Sequence, residues 1–338
     1  MSLAGRVRGP EALALAVHDQ GGALTRGTAV GRYVLGPPVA PRCAGPRPVQ
    51  PRYDAPVRIR VRGWALLSMV LVLWAERARA EPDRTWLLAT IAPEGSPTGR
   101  FVEAVARLFG EASDGGIRMK KRMGGILGAE PDTLKKCIDG RVQVCAVSLG
   151  ALAQYIPELR LLELPYLFPD VAAYQRAEAR LDYGRHPDLA RLAARRGLVV
   201  IGTAAIGWRN ISSLRRPIRS PDDLRGVHAR SQAGEVYVEL WKAFGAIPRT
   251  TELTEINSAL EIGLAEVFDI PATFIYATSL DARIKHYTLT RHILQIGVCV
   301  VNRDAWNELP ERWRRRVIGG MRSIMGNAEP QRGEHLHE

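Results

Sequence analysis

The feature that most constrains the fold is an alternation of short apolar runs and amphipathic segments, which begins after residue 80. The run "TWLLATIA" predicts a strand, and "GRFVEAVARLFGEASDGG" has the periodicity of a helix that ends at glycines. The same order returns in "IRMKKRM", "AEPDTLKKCIDGR" and "VQVCAVSL". Strands that alternate with helices are typical of a mostly parallel sheet covered on both faces. We therefore predict an α/β protein.

The alternation restarts in the second half of the chain. Helical patterns in "VAAYQRAEARL" and "PDLARLAARRG" precede a strand-like "LVVIGTAAIG", and "SPDDLRGVHAR" then predicts a helical turn capped by Ser220, followed by another strand. A chain of 338 residues with 46% hydrophobic composition is long enough for two domains. We expect the chain to cross between them near residues 205–210 and to return near 290–298. This predicts domain I over residues 81–206 and 296–338, and domain II over residues 207–295.

Residues 57–80 have the three-part layout of a secretory signal peptide. Three arginines between residues 58 and 62 precede an apolar run from Trp64 to Trp74, and Ala78 and Ala80 follow in an A-x-A pattern. The alternative is an uncleaved membrane anchor, because Arg79 between the two alanines is unfavourable for cleavage. Either hypothesis predicts that the rest of the chain is exported to the periplasm.

Residues 1–56 precede that segment and carry 8 of the 22 prolines with no sustained periodicity. This composition predicts either disorder or translation of DNA upstream of a natural start near Val57 or Val61.

The positive charge does not indicate a nucleic-acid partner. The formal net charge is +12, but residues 1–80 hold 12 Lys and Arg against 4 Asp and Glu. Residues 81–338 hold 35 against 31, a net of only +4. Nucleic-acid binding requires basic residues concentrated on the folded part of the chain, so we expect no nucleic acid among the partners.

Motifs for catalysis, cofactors or metals are weak. The turn "GGILG" lacks the Lys-Ser/Thr of a phosphate-binding loop, and Ser148 is not in a G-x-S-x-G elbow. The seven histidines are scattered, and the apolar surroundings of Cys145 and Cys299 predict buried free thiols, as does the helical position of Cys137. We therefore predict no enzyme activity, no cofactor and no metal.

Two arginines remain as candidates for function. Arg209 in "IGWRNI" follows a predicted strand, and Arg230 in "VHARSQ" ends another, where an α/β sheet opens a crevice beyond its strand ends. A guanidinium there can hold a carboxylate through two parallel charge-assisted hydrogen bonds. The alternative for each is a surface arginine or one that pairs with a structural carboxylate.

Several short motifs occur in the order found in one known family. They are "APEGSPTGRF", "GGILGAE", "LELPYLFPD", "GWRNISS", "IRSPDDLRGVHAR", "AFGAIP", "TEINSALEIG" and "IKHYTLTRHI". Over about residues 84–312 the chain resembles the periplasmic solute receptors of tripartite ATP-independent (TRAP) transporters, the DctP family. The resemblance implies a clam-type fold, in which two α/β domains joined by crossing strands close over a small organic acid. Such receptors deliver the ligand to a membrane permease, and we expect a monomer or weak dimer.

The resemblance also implies roles for particular residues. Arg230 matches the arginine that clamps the ligand carboxylate, and Arg209 matches a second cation contact. Ser148 lies at a position of polar ligand contact, Glu94 to Thr98 form a loop that lines the cleft, and Leu253 falls near an apolar lining position. The candidate set is completed by Trp208, Phe268 and Asp269.

The chain departs from the family in two places. Where many members have a run such as D-G-x-E-N-P, this chain reads "AEVFDIP", with Val267 for the glycine and Ile270 for the ligand-contacting asparagine. We expect Val267 to strain the turn, because β-branched residues disfavour positive φ. The chain also stops at Glu338, where family members continue. A nonfunctional or truncated relative and an exported enzyme on the same scaffold therefore stay open as alternatives.

Overall fold

The computed structural model describes residues 84–181 and 186–326 of the chain. The predicted extension over residues 1–56 and the predicted signal peptide over residues 57–80 lie outside these ranges. Within them, no helix combines the length and the apolar character that crossing a membrane requires.

All the strands that the described ranges contain form one mixed sheet, in the order β2-β1-β3-β8-β4-β7-β5-β6. Strand β1 pairs parallel with β2 and β3 at one end, and β5 pairs parallel with β6 and β7 at the other. The pairings that involve β8 or β4 in the centre are antiparallel, so the expectation of a mostly parallel sheet holds only for the two ends. The strands are β1 (Arg84–Thr90), β2 (Ile117–Arg122), β3 (Val144–Ser148), β4 (Leu198–Ser213), β5 (His228–Ser231), β6 (Ile247–Thr250), β7 (Val267–Pro271) and β8 (His286–Asn302).

Two long central strands join the ends of the sheet. Strand β4 has 16 residues and β8 has 17, and they pair from Leu198 opposite Asn302 to Ser213 opposite His286. The predicted strand "LVVIGTAAIG" therefore continues six residues beyond Gly207, and Arg209 lies inside it rather than after it. The register shifts at three places along β4, which allows the long strand to bend. The predicted crossings near residues 205–210 and 290–298 both fall inside these two strands.

The helices lie close to their predicted positions. Helix α1 begins after Ser96, whose hydroxyl accepts a hydrogen bond from the Gly99 N–H at 2.9 Å. The predicted cap Ser220 precedes a 3₁₀ turn and donates its N–H to the Asp223 carboxylate at 3.0 Å. The helices are α1 (Pro97–Ala112), α2 (Glu130–Ile138), α3 (Leu149–Ala153), α4 (Val171–Leu181), α5 (Pro187–Arg195), α6 (Glu235–Ala243), α7 (Ile256–Glu261), α8 (Ala272–Ala277), α9 (Arg303–Asn307) and α10 (Glu311–Gly326).

Apolar side chains cover both faces of the sheet. Along β1, Leu88 packs into a cluster with α1 and α10, whereas the next residue, Ala89, packs into a cluster with α2 and α3. This alternation is the period of two that a strand imposes on its side chains. Burying one large side chain such as Phe109 contributes about 1.5–3 kcal/mol to stability. The three cysteines predicted to be buried free thiols are so in the structure: Cys137, Cys145 and Cys299.

The expectation of backbone strain at Val267 is wrong. Val267 is the first residue of β7, and its side chain is buried with Ile211 and Trp241. The residues other than glycine that have positive φ in the described ranges do not include it. The extended conformation of a strand suits a β-branched residue, so the valine fits the sheet at this point.

Candidate ligand-binding site

A cavity of about 430 Å³ opens at the carboxyl ends of the parallel strands. Thr90 from β1, Ser148 from β3, Arg230 from β5 and Ile270 from β7 all border it, so both ends of the sheet contribute. Ligands of α/β proteins bind in such a crevice, and the volume lies within the range of roughly 300–1,000 Å³ found for small-molecule sites. The crevice predicted from the strand ends is therefore present.

Arg230 is a buried cation at this cavity. The residue is only 2% exposed. Its Nε donates a hydrogen bond to Thr251 Oγ1 at 3.3 Å, and its Nη2 donates one to the Thr251 carbonyl at 2.5 Å. Within residues 84–181 and 186–326, no carboxylate forms an ion pair with it and Nη1 makes no hydrogen bond. Arg230 thus presents unused N–H donors beside the cavity.

The electrostatic surroundings of Arg230 favour an incoming anion. Burial lowers its pKa to about 10, the positive charge of Arg209 adds to this effect, and the carboxyl groups of Asp269, Glu252 and Glu130 oppose it. A buried charge without a counter-ion is costly, by several kcal/mol in proteins. A ligand carboxylate at Nη1 would supply the missing counter-ion.

Arg209, in contrast, is satisfied by the protein. Its Nε donates to Asp269 Oδ2 at 2.6 Å, its Nη2 to the Asp269 carbonyl at 2.7 Å, and its Nη1 to the side-chain oxygens of Gln232 and Gln295. Its guanidinium carbon lies 4.7 Å from the centroid of the Tyr237 ring. Four of its five N–H donors are therefore occupied. The alternative expected for this arginine, a pair with a structural carboxylate, is thus present, and the carboxylate is that of Asp269.

Asp269 serves as the buried counter-ion of Arg209. Burial would raise the pKa of Asp269, but Arg209 and a 3.0 Å contact from Nε2 of His292 outweigh burial and hold the pKa well below its usual range. The carboxylate is therefore ionised and engaged beneath the cavity, which it does not border.

Ser148 borders the cavity, but its hydroxyl is engaged. Its N–H and Oγ each donate to the Glu130 carboxylate at 2.5 Å, and its Oγ accepts hydrogen bonds from Gln232 Nε2 at 3.0 Å and from the Ala151 N–H at the start of α3. Burial raises the pKa of Glu130 to about 7, and the hydrogen bonds from Ser148 limit the rise. An exported enzyme on this scaffold would need an ionisable group with a shifted pKa near Arg230, and Glu130 is such a group.

A second buried carboxyl group, Glu163, extends this network. It accepts hydrogen bonds from the Tyr237 hydroxyl, from Gln295 Nε2 at 3.0 Å and from the Ile296 N–H at 3.3 Å. Burial raises the pKa of Glu163 to about 7. Tyr237 and Glu163 lie 74 residues apart in the sequence, so the network ties distant parts of the chain together around Arg209.

The remaining candidates from the sequence are divided between the cavity and its surroundings. Leu253 borders the cavity, and so do Pro97 and Thr98, which lie in the first turn of α1 and not in the loop that was expected to reach Thr98. The side chain of Glu94 is 77% exposed and does not border the cavity, because the loop turns it towards solvent. Its Oε1 lies 3.9 Å from Lys121 Nζ. Trp208 and Phe268 are buried in apolar clusters, because neighbouring strand residues point to opposite faces and Arg209 and Asp269 take the other face.

Sequence reasoning missed five members of the polar network. Two of them carried a signal: Glu163 lies in the apolar run "LLELPYLF" and Gln295 in the apolar strand "HILQIGVCVV", where a polar side chain indicates a buried hydrogen-bonding group. The others lie in ordinary helix or loop patterns. The five are Glu130, Glu163, Gln232, Tyr237 and Gln295.

Comparisons with known proteins agree with this architecture. Residues 88–332 match the family model DctP, described as bacterial extracellular solute-binding protein, family 7. The chain is 24% identical over 245 residues to a solute-binding protein of Verminephrobacter eiseniae (72% of each chain) and 25% identical over 234 residues to the C4-dicarboxylate-binding periplasmic protein DctP of Rhodobacter capsulatus (69% of each).

Solved structures show the same fold. The sugar acid binding protein DctPAm of Advenella mimigardefordensis in complex with galactonate superposes with a TM-score of 0.67 at 24% identity, over 73% of this chain and 78% of that one. A TRAP periplasmic solute binding protein of Sulfurospirillum deleyianum with bound succinate has a TM-score of 0.65 at 22% identity, over 72% and 78%. These likenesses confirm the predicted α/β fold of two domains with crossing strands. The chain belongs to family 7 of the bacterial extracellular solute-binding proteins, the DctP family.

Proposed function

We propose that this protein is a periplasmic receptor that binds one small organic acid through Arg230 and delivers it to the membrane permease of a TRAP transporter. Family membership supports a receptor, and the ligands named for related structures, galactonate and succinate, are both carboxylates. The observation that carries the proposal is Arg230 itself: a buried guanidinium beside the cavity, without a carboxylate partner among the described residues.

The geometry around Arg230 suits carboxylate binding. A carboxylate at Nη1 would form charge-assisted hydrogen bonds with a guanidinium that is itself buried, and such bonds are stronger away from water. Thr251 fixes the other side of the guanidinium, which reduces the side-chain entropy that binding must restrict. Asp269 holds Arg209 in place and compensates its charge, so the ligand meets one available buried cation rather than two.

The domain boundaries at residues 206/207 and 295/296 are part of the proposal. The contacts that would then join the two domains include those of Gln232 with Ser148, of Tyr237 and Gln295 with Glu163, and the 2.5 Å ion pair between Arg160 and Glu235. A ligand that touches both sides of the cavity would add to these contacts and favour the closed form. Delivery would require the same contacts to break while β4 and β8 bend. We expect a monomer or weak dimer.

Catalysis is not part of the proposed function. Two acidic groups with a raised pKa border the cavity, Glu130 and Glu252, and both carboxylate oxygens of Glu130 accept hydrogen bonds from Ser148. The carboxyl group of Glu130 therefore anchors the end of β3 to α2. We expect any acid bound to the purified protein to be recovered unchanged.

Thermal shift and calorimetry with carboxylic acids test the proposal. A ligand at one hundred times its Kd stabilises the native state by about 2.7 kcal/mol, which raises the Tm by several degrees. Arg230→Ala should then weaken binding by about 2–5 kcal/mol, on the order of 30-fold to several thousand-fold, because it leaves a buried carboxylate unpaired. Arg230→Lys keeps the charge without the planar fork and should recover part of the loss.

The matched control is Arg249→Ala. Arg249 is paired in register with Arg230 on the neighbouring strand, but it is exposed and does not border the cavity. Its replacement should leave the affinity unchanged. If Arg230→Ala binds the acid within about threefold of the natural protein, roughly 0.6 kcal/mol, the proposed role of Arg230 is wrong.

A further inference from the structure

The charges at the cavity suit a ligand with one carboxylate. Arg230 is a buried cation without a carboxylate partner among the described residues, whereas Arg209, which also borders the cavity, is paired with Asp269. A third arginine that borders the cavity, Arg100, is exposed and donates to the Gly95 carbonyl at 2.7 Å. An exposed cation contributes little to the binding of an anion, because water screens it. A second ligand carboxylate would therefore find no buried cation of its own among the described residues.

Two carboxyl groups make a second ligand carboxylate still less favourable. Glu130 is buried and Glu252 is half-buried, and both border the cavity together with Arg230. Carboxyl groups offer a second ligand carboxylate no counter-charge, and in their ionised form they repel it. A dicarboxylate would bring its second charge close to one of them.

The rest of the cavity border is mainly apolar. Three hydroxyl-bearing side chains border it, and Ser148 among them is already engaged with Glu130 and Gln232. Thr90 Oγ1 accepts from the Ala92 N–H at 3.2 Å. A sugar acid hydroxylated along its chain would place hydroxyls against the apolar part of the border, where a buried hydroxyl without a partner is unfavourable. The large apolar side chains at the border include Phe101, Ile206, Leu253, Ile270, Phe274 and Ile324.

We propose that the ligand is a monocarboxylate with a compact apolar body, rather than a dicarboxylate or a polyhydroxylated sugar acid. The carboxylate lies at Arg230, and the hydrocarbon body packs against Leu253, Ile270 and Phe274. This inference rests on the proposed function, because it assigns a substrate class to the same cavity.

Calorimetry on the full chain at pH 7 tests the inference with four acids. Two have apolar bodies, phenylacetate and 4-methylpentanoate, and the other two are succinate and D-galacturonate. We expect at least one apolar acid to bind at least about tenfold more tightly than both of the others, a difference of about 1.4 kcal/mol. If succinate or galacturonate binds most tightly, the substrate class is wrong while the proposed function stands. If none of the four binds, both fail.

Variants of the apolar border test where the body lies. Ile270→Asn places an amide in the border and should weaken the apolar acid at least about tenfold. Because Ile270 is buried in β7, the half-buried Leu253→Asn provides a second variant with less effect on folding, and it should weaken the same acid. The control is Ile262→Asn, whose side chain is 78% exposed and outside the cavity border. Equal affinity of both border variants and the control would overturn the inference.

Discussion

Replacing Asp269 with asparagine should strongly destabilise the protein. Both partners of the Asp269 and Arg209 ion pair are 1% exposed, the Nε to Oδ2 distance is 2.6 Å, and His292 contacts the same oxygen at 3.0 Å. Asparagine keeps the size of the side chain but removes its charge, so Arg209 becomes a buried cation without a counter-ion. Breaking a buried pair in this way costs about 3–5 kcal/mol. Arg230 increases the cost, because its buried positive charge is already repelled by Arg209.

Urea unfolding at pH 7, followed by tryptophan fluorescence, measures this effect. The control is Asp222→Asn, which removes a comparable pair with Arg225 (2.8 Å) whose side chains are 78% and 77% exposed. The control should change the free energy of unfolding by less than about 1 kcal/mol. A loss below about 1 kcal/mol for Asp269→Asn as well would refute the assignment of this pair as a structural element.

The pH dependence gives an independent check on Asp269. Because the folded protein holds the pKa of Asp269 below its ordinary value of 3.8, the ionised carboxylate stabilises the fold fully above that value. The stabilisation is lost as the pH falls below 3.8 towards the folded pKa. The difference in stability between the natural protein and Asp269→Asn should therefore be constant from pH 5 to pH 7 and shrink below about pH 4. A difference in stability between the two proteins that stays constant below pH 4 would contradict the account.

Two further predictions concern the buried carboxyl group of Glu163. Burial raises its pKa from 4.5 to about 7, so the folded state favours the protonated form. The free energy of unfolding should therefore fall as the pH rises between those values. Glu163→Gln should flatten this fall, as measured by urea midpoints at pH 4.5, 5.5 and 7. Tyr237→Phe removes a hydrogen-bond donor to Glu163 and should cost about 1–3 kcal/mol in urea unfolding at pH 7, whereas the 66% exposed Tyr276→Phe should cost nothing measurable.

The helices and most strands could be predicted because their determinants are local. The periodicity of "VAAYQRAEARL" predicts α4, which spans Val171–Leu181, and Ser220 precedes its turn as expected. The length of β4 could not be predicted in this way. Gly202 and Gly207 are typical of a strand end, but β4 continues past both because β8, nearly a hundred residues later, pairs with it throughout.

The site shows the same division between local and distant determinants. Arg230 could be placed at the crevice from its position at a strand end, and its contact with a ligand remains a proposal. The engagement of Arg209 could not be foreseen, because its partners Asp269 and Gln295 lie 60 and 86 residues away. Glu130 resembles any solvated residue at the start of a helix, and only the packed structure buries it beneath Ser148.

A crystal structure of the protein with a bound acid tests the central claim most directly. We predict that the ligand carboxylate lies in the cavity with an oxygen about 2.7–2.9 Å from Nη1 of Arg230, the distance of a charge-assisted hydrogen bond. Arg209 should keep its contacts with Asp269 in the same crystal. A carboxylate bound at Arg100 or elsewhere, with Nη1 of Arg230 unoccupied, would contradict the account.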